Sequence, residues 1–175
     1  MFLFRTFPEI HCENDLLAQE LKCSVDYVHL GNSAFKLERG KFNWWDAARS
    51  CMDLGTQLAT IDSEQELNAI SQYLNQLGFG PDEAVWFSSF GIKSGAWISL
   101  ANSKIQTYFK WATAEPNDSG SAENCLGIKF SSGTWFMHDL NCFKEYSYLC
   151  EVIHKKTENF EFTRSDRNRS LSVVV

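Results

Sequence analysis

No stretch of the 175-residue sequence approaches the ~20 consecutive apolar residues of a membrane-spanning helix. A basic stripe is also missing. The net charge is −6, and Lys and Arg are scattered, so no basic stripe is available to neutralise a phosphate backbone, and the balance argues mildly against a nucleic-acid partner. The densest basic group (Lys155, Lys156, Arg164, Arg167 and Arg169) is interleaved with acids. There is no C-x-x-C pair, which removes the zinc-ribbon and thioredoxin readings. There is no H-E-x-x-H, no G-x-S-x-G and no phosphate-binding Gly loop, and His11, His29, His138 and His154 are dispersed. The chain is therefore expected not to be an enzyme. No signal peptide is recognisable, because Arg5 and Pro8 interrupt the apolar start at Met1–Phe4, short of the ~7–15 apolar residues of an h-region.

The residues present describe a globular protein. Apolar residues make up 44% and aromatics 14%, with six Trp and fourteen Phe, enough for one domain with a substantial core plus extensions. Six cysteines, an even count without metal-type spacing, favour disulfides and an oxidising compartment. The expected location is extracellular, reached through a signal outside the present sequence. Spacing alone leaves fifteen pairings open.

Read in order, residues 1–22 form an N-terminal arm containing Cys12. Tyr27 to Phe42 alternates like strands, with turns expected at Gly31–Ser33 and at Arg39–Lys41. A helix is expected over Asn43–Leu54, stopped by Gly55, with Trp44, Ala47, Ala48, Cys51 and Leu54 facing inward. A second starts at Ser63 with Glu66 as its capping box, buries Leu67, Ile70, Leu74 and Leu77, and ends at Gly78. Short strands are expected at Val85–Phe87, Trp97–Leu100, Leu126–Phe130, Trp135–Met137 and Tyr146–Val152, with mostly loop from Asn102 to Ser132. The order gives an α+β fold, two helices with small antiparallel sheets around a long polar loop. Residues 23–152 form the domain, and 153–175 a polar tail expected to be disordered.

The chemistry concentrates between Trp111 and Cys150. Glu115, Asp118 and Glu123, with the amide of Asn117, lie in a Gly/Ser-rich loop that has no Lys or Arg before Lys129. Carboxylates held this close repel one another, so the folded loop wants a cation. Oxygen donors suit a hard ion such as Ca²⁺, which takes ~6–8 of them.

These landmarks together resemble the C-type lectin-like domain. The likeness rests on Asn43–Arg49 with Cys51, Leu58-Ala59-Thr60-Ile61, Glu115-Pro116-Asn117, Cys125, the Trp135…Asp139…Cys142 segment and Cys150. It covers about residues 23–152. Trp97-Ile98-Ser99-Leu100 imitates the family's Trp-Ile-Gly-Leu core motif by letters, but spacing places Trp86 there and Trp97 in the following hairpin. The resemblance implies the disulfides Cys51–Cys150 and Cys125–Cys142, with Cys12–Cys23 as the bridge of the long form. It also implies a cis bond before Pro116. Glu115, Asn117, Glu123 and Asp139 then match the principal Ca²⁺ ligands, with His138 at a fifth position. The same four would hold a sugar of the mannose, fucose or N-acetylglucosamine type, because each sugar hydroxyl can donate to a carboxylate and accept from an amide. The implied partners are glycans on cell or microbial surfaces. The alternative is a Ca²⁺-independent domain of this fold that binds a protein.

Two departures bear on the metal. His138 stands where the family usually has Asn, and imidazole suits Zn²⁺ better than Ca²⁺. A working Ca²⁺ site, a lost site and an altered metal preference all stay open, and a lining His138 would make binding fall with pH near ~6.5. No Asp or Glu occurs between Ala84 and Ala114, where the family's auxiliary Ca²⁺ site draws carboxylates, so Asp118 reads as a loop-solvating acid.

Overall fold

The computed structural model describes residues 27–152 except 93, 94 and 132, together with the backbone of 12–13 and 22–23. β1 (Cys12–Glu13) and β2 (Lys22–Cys23) pair antiparallel, with Cys12 opposite Cys23. The Cys12–Cys23 bridge itself, the remaining N-terminal arm and the tail lie outside the described residues.

The domain proper opens with β3 (Val28–Leu30) and β4 (Ser33–Phe42), joined by the turn at Gly31. The turn expected at Arg39–Lys41 is absent, because β4 runs straight through it. Gly40 instead marks a bulge. Five residues of β4, Glu38 to Phe42, oppose only the three from Tyr146 to Tyr148, and a side chain at Gly40 would meet the Phe42 ring at 2.7 Å.

Both helices form where capping chemistry places them. α1 spans Trp44–Asp53, and the Asn43 side chain accepts from the Asp46 N–H at its N-terminus. α2 spans Glu64–Gln76, with Ser63 accepting from the Glu66 N–H. The Glu66 carboxylate accepts from Asp62 N, one residue before the position a capping box uses. Leu54 and Leu77 are exposed, against expectation. Each is the C-cap residue, already turning out of its helix, and Phe79 fills the core beyond α2 instead.

The remaining strands are β5 (Gln57–Leu58), β6 (Ala84–Gly91), β7 (Trp97–Ser99), β8 (Glu123–Ser131), β9 (Thr134–Asn141) and β10 (Tyr146–Glu151). They build a sheet in the order β3-β4-β10-β6-β8-β9, with β5 added to β10 and β7 to β6. The expectation of small antiparallel sheets is corrected here. The eight strands form one sheet, and it is mixed because β10 runs parallel to β6.

β6 shows how the sheet serves two cores. Val85 and Phe87 join Leu67, Ile70 and Leu74 of α2, whereas Ala84 and Trp86 join Trp44, Ala47, Ala48 and Cys51 of α1. Successive strand residues point to opposite faces, so a strand buried on both sides reads as unbroken hydrophobicity. Trp86 therefore occupies the core strand and Trp97 the hairpin partner β7, as the spacing indicated. Disulfides Cys51–Cys150 and Cys125–Cys142 are present, tying α1 to β10 and β8 to the end of β9.

Candidate functional site

β8 and β9 are longer than their apolar runs suggested, and the added residues belong to the site. β8 begins at Glu123, inside what read as loop, and β9 continues past Met137 to include His138 and Asp139. Strand alternation turns Asp139 inward, where it is 2% exposed, and leaves His138 half-buried on the other side. The facing loop starts where Trp111 bridges to Met137, and Ala112 N and Met137 N bond across the same junction. Glu115–Pro116 is cis, and Asp118 takes a left-handed conformation with φ of 44°.

Asp139 organises this loop. Its Oδ1 accepts from Asn117 N at 2.9 Å and its Oδ2 from Asp118 N at 2.7 Å. Asn117 Nδ2 donates to Glu115 Oε1 at 2.7 Å, leaving the Asn117 carbonyl oxygen for another partner. His138 Nδ1 lies 3.4 Å from the same Glu115 oxygen. Across the loop, Glu123 Oε2 accepts from Ser119 N at 3.1 Å and Asp118 Oδ1 from Glu123 N at 3.1 Å. Asp118 is therefore a structural acceptor as well as a solvated acid.

The structure thus brings Glu115, Asn117, His138 and Asp139 into one cluster, with the Glu123 carboxylate turned toward Ser119. Among the described residues, no three His, Cys, Asp or Glu side chains converge as a ready metal cage. Beside the cluster, a cleft of about 530 Å³ lies between the loop and the β6–β7 hairpin. Asp118, Glu123 and Asp139 line one wall, and Ile92, Ala96 and Trp97 the other. Sequence reasoning missed that apolar wall, because Ile92 and Ala96 carry no motif.

The electrostatics follow from placing acids together out of water. Burial, then a hydrogen bond to Asp139 and its charge, push Glu115 up to about 7, with Glu123 adding and the Asn117 amide opposing. Burial also pushes Asp139 upward, but hydrogen bonds from Glu115 and from the backbone of Asn117 and Asp118 outweigh it and hold it below its usual range. The two neighbouring acids are thus pushed apart, Glu115 upward and Asp139 downward. Burial, then Lys129, hold His138 below the ordinary imidazole range, so the expected transition near ~6.5 moves down. The group that titrates near neutrality is Glu115.

The donor set fits a hard cation. Glu115 Oε2 is buried with no partner, and Glu115, Asn117, Glu123 and Asp139 all offer oxygen. His138 is the exception, since its Nε2 is buried without a partner and nitrogen is a poor ligand for such an ion.

Comparison with known proteins agrees with this architecture. The galactose-specific lectin nattectin of Thalassophryne nattereri is 28% identical over 129 residues, 73% of this chain and 79% of nattectin. The C-type lectin CEL-I of Cucumaria echinata superposes with a TM-score of 0.68 at 17% identity, covering 77% of this chain and 99% of CEL-I. The carbohydrate-recognition domain of cow CD23, crystallised in the presence of a GlcNAc2Man3 oligosaccharide, gives 0.61 at 23% identity, covering 77% and 98%. No helix among the described residues is long and apolar enough to cross a membrane. The lectin C-type domain family matches residues 40–152, and with its two helices, mixed sheet and paired disulfides the chain belongs to that family.

Proposed function

We propose that the domain is a secreted lectin that binds mannose-, fucose- or N-acetylglucosamine-type sugars through Ca²⁺, recognising glycans on cell or microbial surfaces. The observation that carries this is Glu115 Oε2, a carboxylate oxygen buried without a partner beside the Asp139 carboxylate. A buried acid left this way is costly unless a charge arrives to meet it. Glu115, Asn117, Glu123 and Asp139 would hold the ion. When bound, it supplies positive charge and open coordination positions for two sugar hydroxyls. The carboxylates then accept hydrogen bonds from those hydroxyls, and Asn117 Nδ2, now given to Glu115, is the donor that can serve a sugar oxygen. His138 lies beside these oxygens without adding one to the set.

The mannose-type assignment rests on Glu115-Pro116-Asn117. Nattectin is galactose-specific, so the sugar must be tested directly. Retention on mannose-agarose in Ca²⁺, release by EDTA and passage through galactose-agarose are the expected results. Retention indifferent to EDTA, with no change in thermal stability on adding Ca²⁺, would sink the reading. It would favour a Ca²⁺-independent domain that binds a protein. One feature stands on that side: burial and Asp139 push Glu115 up to about 7, which lessens the negative charge a cation would meet near neutrality.

A further inference from the structure

The hairpin wall of the cleft has no acid to anchor it, since none occurs between Ala84 and Ala114. Its root nevertheless carries a concentration of buried polar groups. Thr60, Ser88, Ser89, Ser99 and Gln106 are each no more than 5% exposed. Thr60 Oγ1, Ser88 Oγ and Ser99 Oγ form a closed triangle with sides of 2.8, 2.9 and 2.8 Å. In such a ring each hydroxyl donates once and accepts once, so no donor is left over.

Gln106 completes the arrangement. Its Nε2 donates to Ile61 O at 3.3 Å and to Tyr108 O at 2.9 Å, and its Oε1 accepts from Ser89 Oγ. Both amide hydrogens and the carbonyl are used. Its backbone N–H bonds Trp97 O at 2.8 Å, and Trp97 lines the cleft. Ser99 N bonds Lys104 O at 2.9 Å and Leu100 N bonds Ser88 O at 3.0 Å, so the segment from Trp97 to Gln106 is closed on itself and on β6.

We infer that Gln106, with Ser89 and the Thr60–Ser88–Ser99 ring, is a positioning group that fixes the β7 wall of the cleft without any cation. The two walls are then built differently. The Glu115–Glu123 wall hangs on carboxylates that a cation would engage, and the Trp97 side of the cleft is held from behind, through Gln106, by neutral hydrogen bonds that it would not. This bears on the proposed sugar site, because the cleft needs both walls, but the anchoring itself is a property of the cation-free chain.

The test is amide hydrogen exchange in EDTA, with sugar binding measured alongside. In the unaltered protein the Ser99, Leu100 and Gln106 amides stay protected after chelation. In Gln106→Leu, exchange at Ser99 and Gln106 rises by about tenfold or more, the scale of one lost buried hydrogen bond. Ser89→Ala removes a single contact to the same amide and reads the effect should Gln106→Leu fold poorly. Ser71→Ala breaks a buried bond to Leu67 O inside α2 and leaves exchange at Ser99 and Gln106 unchanged, which separates positioning from general destabilisation. Mannose affinity in saturating Ca²⁺ falls about tenfold in Gln106→Leu and is not recovered by more Ca²⁺. Loss of Ser99 and Gln106 protection on chelation of the unaltered protein, or unchanged exchange in both Gln106→Leu and Ser89→Ala, overturns the inference. An unaltered protein that binds no sugar overturns the proposed function and leaves the exchange result to decide the anchoring alone.

Discussion

Glu115 is the residue whose chemistry the sequence announced and whose state it concealed. Its letter and its neighbour Pro116 are legible, but that it holds a proton near neutrality depends on Asp139, 24 positions away, turning inward from β9. Without a cation, the folded chain keeps this proton between its ordinary value of 4.5 and about 7, while the unfolded chain has released it. Stability rises with pH only where the unfolded state binds more protons, so here it falls as pH rises across that window. Asp139 acts oppositely, its contribution being lost as pH drops through its depressed folded value. Thermal unfolding in EDTA from pH 4.5 to 7.5 should therefore show a decline that Glu115→Gln removes. Ca²⁺ must displace the same proton, so its affinity should climb with pH up to about 7 and level beyond it. His138→Asn exchanges a nitrogen for an amide oxygen beside the site, and calorimetry should show Ca²⁺ binding tightened by about tenfold.

Among the elements, the helices were readable in place and in their N-caps, though not in the burial of Leu54 and Leu77, and the strands only in their apolar stretches. Asn43, Ser63, Gly55 and Gly78 are local signals, and each capping contact forms within three residues of its cap. Asn43→Ala should lower stability by about 1 kcal/mol in chemical denaturation. The polar ends of β8 and β9 escaped because Glu123, His138 and Asp139 look like loop residues until their partner strand is known. The pairing of Leu126 with Asp139 and of Gly127 with His138 makes them strand. Gly127 shows the cost of that register. A Cβ there would lie 2.7 Å from Leu140 Cδ1 and 3.2 Å from Val85 O, so Gly127→Ala should destabilise by ~1–3 kcal/mol. The hydroxyl ring gave no sequence signal, because Thr60, Ser88 and Ser99 are common residues made significant only by folding.

For the whole molecule, cysteine spacing left the pairings open and the family resemblance supplied the two bridges now seen, Cys51–Cys150 and Cys125–Cys142. The second closes a 17-residue span whose ends sit beside Glu123 and Asp139. Replacing both of its cysteines by Ala should cost ~3 kcal/mol in denaturation and weaken mannose retention as well. The mixed sheet, by contrast, could not be foreseen from local patterns, since β10 meets β6 only after a crossover that contains β7, β8 and β9. That sheet has a further consequence. Val28 begins its β3 edge and Val152 N bonds Ala34 O in neighbouring β4, whereas Asp139 sits in β9 at the opposite edge. The described domain therefore begins and ends along one margin while the Glu115–Glu123 loop lies against β9 at the other. On the proposed lectin reading, attachment along the β3–β4 margin keeps the loop clear of the support, so weak single-site contacts add up on a crowded surface.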